Sequence, residues 1–148
     1  KLFSAMLQAF PGESDILTIV DGTSPIASVL SFYHDGAVLP FWGGGTYAAR
    51  GARANELMYY KLMLHARKRG MARFDFGRSK AASGPYKFKK NWGFEPAPLT
   101  YSLWTAPGAK PRDIDPTSAS YSRKIELWKK LPVPVANAFG PWIARGLA

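Results

Sequence analysis

Apolar and polar positions along the chain change period several times, and each change marks an element. Leu2 to Phe10 carries apolar residues at helical spacing and stops at Pro11-Gly12, so it reads as the end of an amphipathic helix. Three β-rich runs come next, Asp15–Val20, Ile26–His34 and Ala37–Trp42. Asp21-Gly22, with Ser24-Pro25 nearby, separates the first two runs, and Asp35-Gly36 separates the last two. Asp-Gly tolerates the positive φ of a tight hairpin turn, so the runs predict an antiparallel meander. Gly43-Gly44-Gly45 then interrupts the pattern.

A long helix is predicted from Ala52 to Arg69. Leu57, Tyr60 and Leu64 fall on one face, and Met58, Leu62 and Met63 widen it to the breadth expected of a helix packed on a sheet. Lys61, Arg67, Lys68 and Arg69 lie elsewhere or at the C-terminal end, where cations favour the helix dipole, and Gly70 is a candidate C-cap. Met71–Phe76 reads as a strand, and a strand, helix and strand in this order make a parallel crossover. Pro85–Trp92 reads as a short helix with proline at its favoured first position. Leu99–Thr105 reads as a last strand. Ala106–Thr117 is a Pro-rich loop. Ser120 then caps a helix running to Leu131, with Tyr121, Ile125 and Trp128 on one face. Pro132 and Pro134 break it, and Val135–Ile143 resumes an apolar helical segment around Gly140-Pro141. The expected fold is α/β (α+β), a mixed central sheet flanked by helices with a helical C-terminal extension. Residues 1–108 form the sheet domain and 109–148 the extension.

Composition narrows the classes. The 148 residues are 47% apolar and suit a domain with a real core rather than a disordered chain. No apolar run has the length of a membrane span. The absence of cysteine excludes disulfides, thiolate nucleophiles and cysteine metal sites. No metal-binding spacing such as H-E-x-x-H occurs. The net charge of +10 is concentrated: residues 1–49 carry one lysine against four acids, residues 50–90 carry twelve bases against two acids, and residues 91–148 carry seven against four. Such a basic stretch fits an anionic partner, whether phosphate, RNA or an acidic membrane surface, and it also fits a solvated face.

Two constellations could carry chemistry. Gly43–Arg53 links a strand to a helix, and backbone N–H groups at a helix start attract anions, with Arg50 and Arg53 adding charge. The stretch lacks the Walker pattern and G-x-G-x-x-G, and would equally serve as a flexible connection. The second is Phe74-Asp75-Phe76-Gly77-Arg78-Ser79, succeeded by Gly84-Pro85-Tyr86-Lys87-Phe88-Lys89-Lys90-Asn91-Trp92-Gly93-Phe94. Asp75 alternates with Phe74 and Phe76 and points to the opposite sheet face. Arg78 and Ser79 sit just past the strand's C-terminal end, where crossover sheets place ligands. Tyr86, Lys89 and Lys90 share a helix side. A lysine there can offset a developing oxyanion or hold a phosphate, and Tyr86 can protonate a leaving group. The same residues also fit a structural Asp75–Arg78 pair beside a solvated lysine face. His34 and His65 read as surface or edge residues. Glu56 is a general-base candidate, with an exposed pair to Arg53 as its simpler role.

The long helix, the F-D-F-G-R-S strand end and the G-P-Y-K-F-K-K-N-W-G-F helix resemble the C-terminal acyltransferase domain of FemAB-like proteins, members of the GNAT superfamily associated with exosortase and exopolysaccharide systems. Trp128-Lys129-Lys130-Leu131-Pro132 and Gly140-Pro141-Trp142-Ile143 resemble the end of that subgroup. The resemblance implies a second GNAT-like domain preceding this one as a partner. It also implies an acyl-CoA or aminoacyl-tRNA donor, an amine acceptor in the cell envelope or an exopolysaccharide, and a cytoplasmic place, in one form peripheral to the inner membrane. It assigns charge stabilisation to Lys89 and donor phosphates to the start of the long helix, near Arg50, Arg53 and Asn55. The residues themselves add Tyr86 and Asp75 as catalytic candidates and Arg78, Ser79 and Lys90 as substrate-binding candidates. Arg50-Gly51-Ala52-Arg53-Ala54-Asn55 meets only part of the acyl-CoA loop pattern Q/R-x-x-G-x-G/A. The chain starts at Lys1, inside what the resemblance makes a second helix, so a fragment lacking the first strand is expected. Its uncovered sheet edge would favour a homo-oligomer. The other functional class is a non-catalytic module binding RNA or an anionic envelope polymer through its basic helix face.

Overall fold

The structure is a computed structural model and describes residues 2–108 and 125–144. It contains two compact units, Lys1–Pro96 and Ala97–Ala148.

In the first unit, helix α1 (Leu2–Ala9) precedes strands β1 (Ser14–Asp21), β2 (Ser24–His34) and β3 (Ala37–Gly45). These pair as the antiparallel meander that their Asp-Gly turns predict. Asp35 and Gly36 have φ of 46° and 68°, the double positive φ of a tight hairpin turn that matches strand twist. A short helix α2 (Ala48–Gly51) and a long helix α3 (Ala54–Lys68) lead to β4 (Arg73–Phe74), which pairs parallel to β3. The sheet order is β1-β2-β3-β4. Helix α4 (Gly84–Lys90) comes next, capped by Ser83, whose hydroxyl accepts from the Tyr86 amide at 3.3 Å, with Pro85 in its first turn.

The core forms between the sheet and one face of α3. Val29 and Val38 from the sheet meet Ala54, Met58, Leu62 and Ala66 from the helix, with Leu17, Ile19, Tyr59 and Phe74 packed around them. Here the structure corrects the expected helix face. Leu57, Tyr60 and Leu64 are 43%, 50% and 39% exposed, and the buried stripe is the i, i+4, i+8, i+12 series beginning at Ala54. Alanines at both ends of the stripe and an unbranched methionine let the helix approach the sheet closely.

The glycine run is a second correction. Gly43, Gly44 and Gly45 continue β3 opposite Val29, Ser28 and Ala27 rather than breaking it. A Cβ on Gly43 would touch Met58 Cε at 3.4 Å, and one on Gly45 would lie 2.7 Å from Ala49 Cβ. The glycines thus make room for the helices above them. A register shift between Leu30 and Ser31 places a bulge in β3 at Phe41.

The expected strand Leu99–Thr105 is absent, and residues 99–105 have no regular secondary structure. An alternating pattern becomes a strand only against a partner edge, and β4, the outer strand of the sheet, is two residues long. In the second unit, residues 125–129 are helical and α5 (Val133–Ala144) contains Pro141. The expected cap Ser120 and Tyr121 lie outside the described residues.

Leu62 is fully buried. Leu62→Ala is expected to lower unfolding stability by about 2–5 kcal/mol, read as a shifted urea midpoint at unchanged m.

Candidate active site

Three local structures along β3 and the crossover carry the candidate residues. The first is an open strand edge. Main-chain amides of Ala72 and Arg73 donate to Gly36 O at 2.9 and 3.0 Å, and Arg73 Nη2 donates to Asp35 O at 2.7 Å and to its carboxylate at 2.8 Å. The hairpin turn thereby fixes where β4 begins. Pairing with β3 covers only Ala37 and Val38, closed by the Asp75 amide donating to Val38 O at 2.9 Å. Beyond that point β3 runs on to Gly45 with β2 on one side and no strand partner on the other among the described residues.

The second is the turn from β3 into α3. Thr46 N donates to Ile26 O at 2.8 Å, and α2 begins one residue after Tyr47. Arg53 adopts left-handed geometry, φ 49°, and so separates α2 from α3. The Arg50 guanidinium lies 5.5 Å from the centre of the Tyr47 ring, a cation–π contact on the surface. Asn55 Oδ1 is buried and has no hydrogen-bond partner, and it would lie 3.1 Å from a Cβ on Gly45. A shallow depression of about 360 Å³ is lined by Pro25–Ser28 and Gly44–Thr46. A short helix, an αL residue and strand glycines replace the expected flexible connection, with Arg50 in α2, Arg53 at the junction and Asn55 in the first turn of α3.

The third is the loop after β4 with α4. Phe74 and Phe76 share the side opposite Asp75, as their alternation predicts. They join Tyr59 of α3, Phe88 of α4 and Phe94: Tyr59 stacks on Phe76 at 6.0 Å and meets Phe88 edge-on at 5.1 Å. This aromatic cluster sets the height of α4. Burial pushes the Tyr59 phenol up and keeps it neutral. Asp75 Oδ1 accepts from the Gly77 amide at 2.7 Å, and Gly77 has φ 62°. Lys89 Nζ donates to Gly77 O at 3.2 Å and Arg78 O at 3.3 Å. Asp75 and Lys89 therefore hold the same turn from both ends. Burial lowers the Lys89 pKa from the usual 10.5, and the Asp75 charge partly restores it. Tyr86 is half-buried, Lys90 and Arg78 are exposed, and Ser79 Oγ is buried without a hydrogen-bond partner. The structure brings Asp75, Lys89 and the Gly77–Arg78 backbone together. Arg50, Arg53 and Asn55 belong to α2 and the start of α3 instead.

The sequence pattern does not announce a polar network elsewhere in the unit. Asp15 accepts from Tyr33 OH at 2.9 and 3.0 Å, faces His65 Nε2 at 2.9 Å and pairs with Arg69 Nη1 at 3.2 Å. The Arg69 guanidinium lies 3.8 Å from the centre of the Tyr33 ring and also donates to Gly12 O. Burial and Asp15 push the Tyr33 phenol far up, so it stays a donor. The one sequence signal is Asp15 on the same strand face as Leu17 and Ile19. His65, fifty residues away, gives none. The network ties the C-terminal end of α3 to β1 and β2, at the end of the helix from which the chain turns into β4.

A three-stranded antiparallel meander followed by a parallel crossover into a short edge strand defines a mixed α+β domain with helices packed on its sheet. The family comes from the sequence: the model described as "Acetyltransferase (GNAT) domain" matches residues 1–90, from α1 through α4, and the chain belongs to that family. No curated protein and no solved structure matches it. Among the described residues no cluster of histidine or acidic side chains could hold a metal ion.

Gly45→Ala places a methyl group against Ala49 and Asn55 and is expected to cost about 1–3 kcal/mol, read by thermal or urea unfolding. Lys89 gives a pH signature. Its folded pKa lies below 10.5, so in the window just below that value the unfolded chain holds a proton that the folded chain has lost. Its contribution to stability therefore rises with pH through that window. Lys89→Met should flatten the stability curve there relative to the parent chain.

Proposed function

We propose that this domain transfers an acyl or aminoacyl group to an amine of a cell-envelope or exopolysaccharide acceptor. Family membership supports acyl transfer with an acyl-CoA donor. The finer reading, aminoacyl-tRNA as donor in the manner of FemAB-like proteins, rests on the resemblance of the α4 sequence. The observation that carries the proposal is the β3 edge from Leu39 to Gly45, which has no strand partner among the described residues and leads to the start of α3. An extended, amide-bearing donor can bond such an edge as an added strand would. Its phosphates would then meet the first-turn N–H groups of α3 with Arg50 and Arg53.

In this reading the acceptor amine attacks the donor carbonyl carbon. The C–N bond forms as the bond to the ester oxygen or thioester sulfur breaks. The amine's proton leaves, and the departing alkoxide or thiolate takes one up. Tyr86 is assigned the acid's role for the leaving group, and Lys89 the positive charge for the oxyanion. Asp75 shapes the Gly77 turn that Lys89 binds. Arg78, Ser79 and Lys90 border the acceptor side. No covalent enzyme intermediate is required, because amine attack is direct.

One observation favours a second reading, a binding module for RNA or an anionic envelope polymer: Lys89 already bonds two backbone carbonyls. Transfer and binding separate in one experiment. In the first reading Lys89→Ala lowers the transfer rate by about tenfold or more with donor affinity retained. In the second, no donor gives transfer and binding weakens smoothly with salt. A thermal shift with acyl-CoA but not with an aminoacyl-tRNA analogue, or the reverse, assigns the donor class.

A further inference from the structure

Helix α5 inverts the usual arrangement of a surface helix. It has twelve residues and carries no charge. A helix on a soluble surface turns its apolar stripe inward and its polar side outward. In α5 the half-buried positions are Ala136 and Gly140, and a Cβ on Gly140 would lie 3.9 Å from the Trp128 ring. The large side chains point out: Phe139 is 59% exposed, Trp142 78% and Ile143 50%. With Val135 they keep i, i+4, i+7, i+8 spacing, so they form one continuous stripe.

Length limits what can cover this stripe. Twelve residues rise about 18 Å, against about 30 Å for the hydrocarbon core of a bilayer. No helix among the described residues is long and apolar enough to cross a membrane. An uncharged, tryptophan-bearing helix of this length fits the plane of the membrane interface, where indole rings favour the headgroup level.

Charge selects the occupant. Lys129 and Lys130 are exposed and stand immediately before α5, separated from it by Leu131-Pro132. Lys129 also pairs with Glu126 at 2.9 Å on the outer surface. A second copy packed parallel would bring like lysines together, and one packed antiparallel would offer them no opposite charge, because α5 has no acidic residue. Anionic lipid headgroups would meet them with opposite charge.

We propose that α5 is a membrane-docking helix that lies along the surface of an anionic bilayer. Phe139 and Trp142 enter the boundary of the acyl chains, and Lys129 and Lys130 meet the lipid phosphates. Docking uses no residue of the candidate active site, so it stands or falls apart from acyl transfer.

The test is co-sedimentation of the full chain with sucrose-loaded vesicles of phosphatidylcholine, with and without phosphatidylglycerol. Binding is expected on the mixed vesicles and little on phosphatidylcholine alone. Replacing both aromatics, Phe139→Ser with Trp142→Ser, should reduce partitioning by about a hundredfold. Lys129→Gln with Lys130→Gln should reduce it by about tenfold on mixed vesicles only. All four side chains are exposed, so far-UV circular dichroism should stay that of the parent chain. Trp142→Phe should keep most of the binding. The proposal is overturned by failure to bind mixed vesicles, by equal binding to both lipids, or by binding that survives loss of both aromatics. It is also overturned if lipid-free chain self-associates through α5 and the double serine variant is monomeric.

Discussion

The close seat of α3 on the meander is the constraint on which the first unit depends. Ala54, Met58, Leu62 and Ala66 are almost wholly buried against Val29 and Val38, and glycines at the end of β3 admit the helix start. A bulkier stripe would lift the helix, and both of its ends would lose their places. Its beginning would leave the end of β3. Its end would lose the Asp15 network and deliver β4 too far from Gly36. Packing energy from one helical stripe therefore becomes positional precision at two separated points.

The candidate site inherits that precision through aromatic rings rather than through regular hydrogen bonding. β4 supplies two ladder residues, too few to orient the Gly77 turn and α4 beyond it. Tyr59 provides the remaining reference, since its ring meets Phe74, Phe76 and Phe88 together. The turn at Gly77 is then closed by an acid from the strand and an ammonium from α4. Lys89 thus has a structural task before any chemical one, and its lowered pKa comes from the same burial that places it.

Much of this is legible from local chemistry. Asp-Gly turns and alternating strands predict the meander nearly to the residue, and the opposed directions of Asp75 and its phenylalanine neighbours come from strand geometry. The losses have physical causes. Glycine is compatible with both loop and strand, so the Gly43–Gly45 extension of β3 is hidden. Alanine is a weak apolar signal, so Leu57, Tyr60 and Leu64 draw attention from the true stripe. Leu99–Thr105 alternates well, but alternation says nothing about whether an edge is available. The Asp15–Tyr33–His65–Arg69 network joins three elements, and one sequence without structure cannot bring them together.

The open edge of β3 has a consequence for the behaviour of the folded chain in solution. An unpaired strand edge is normally a template for another chain and a route to aggregation. This one carries Pro40, which has no amide to donate, then a bulge at Phe41, then three glycines without side chains to interlock. Each disfavours a continuous ladder with a foreign strand. The edge can stay free for a short ligand because its own sequence makes it a poor seed for growth.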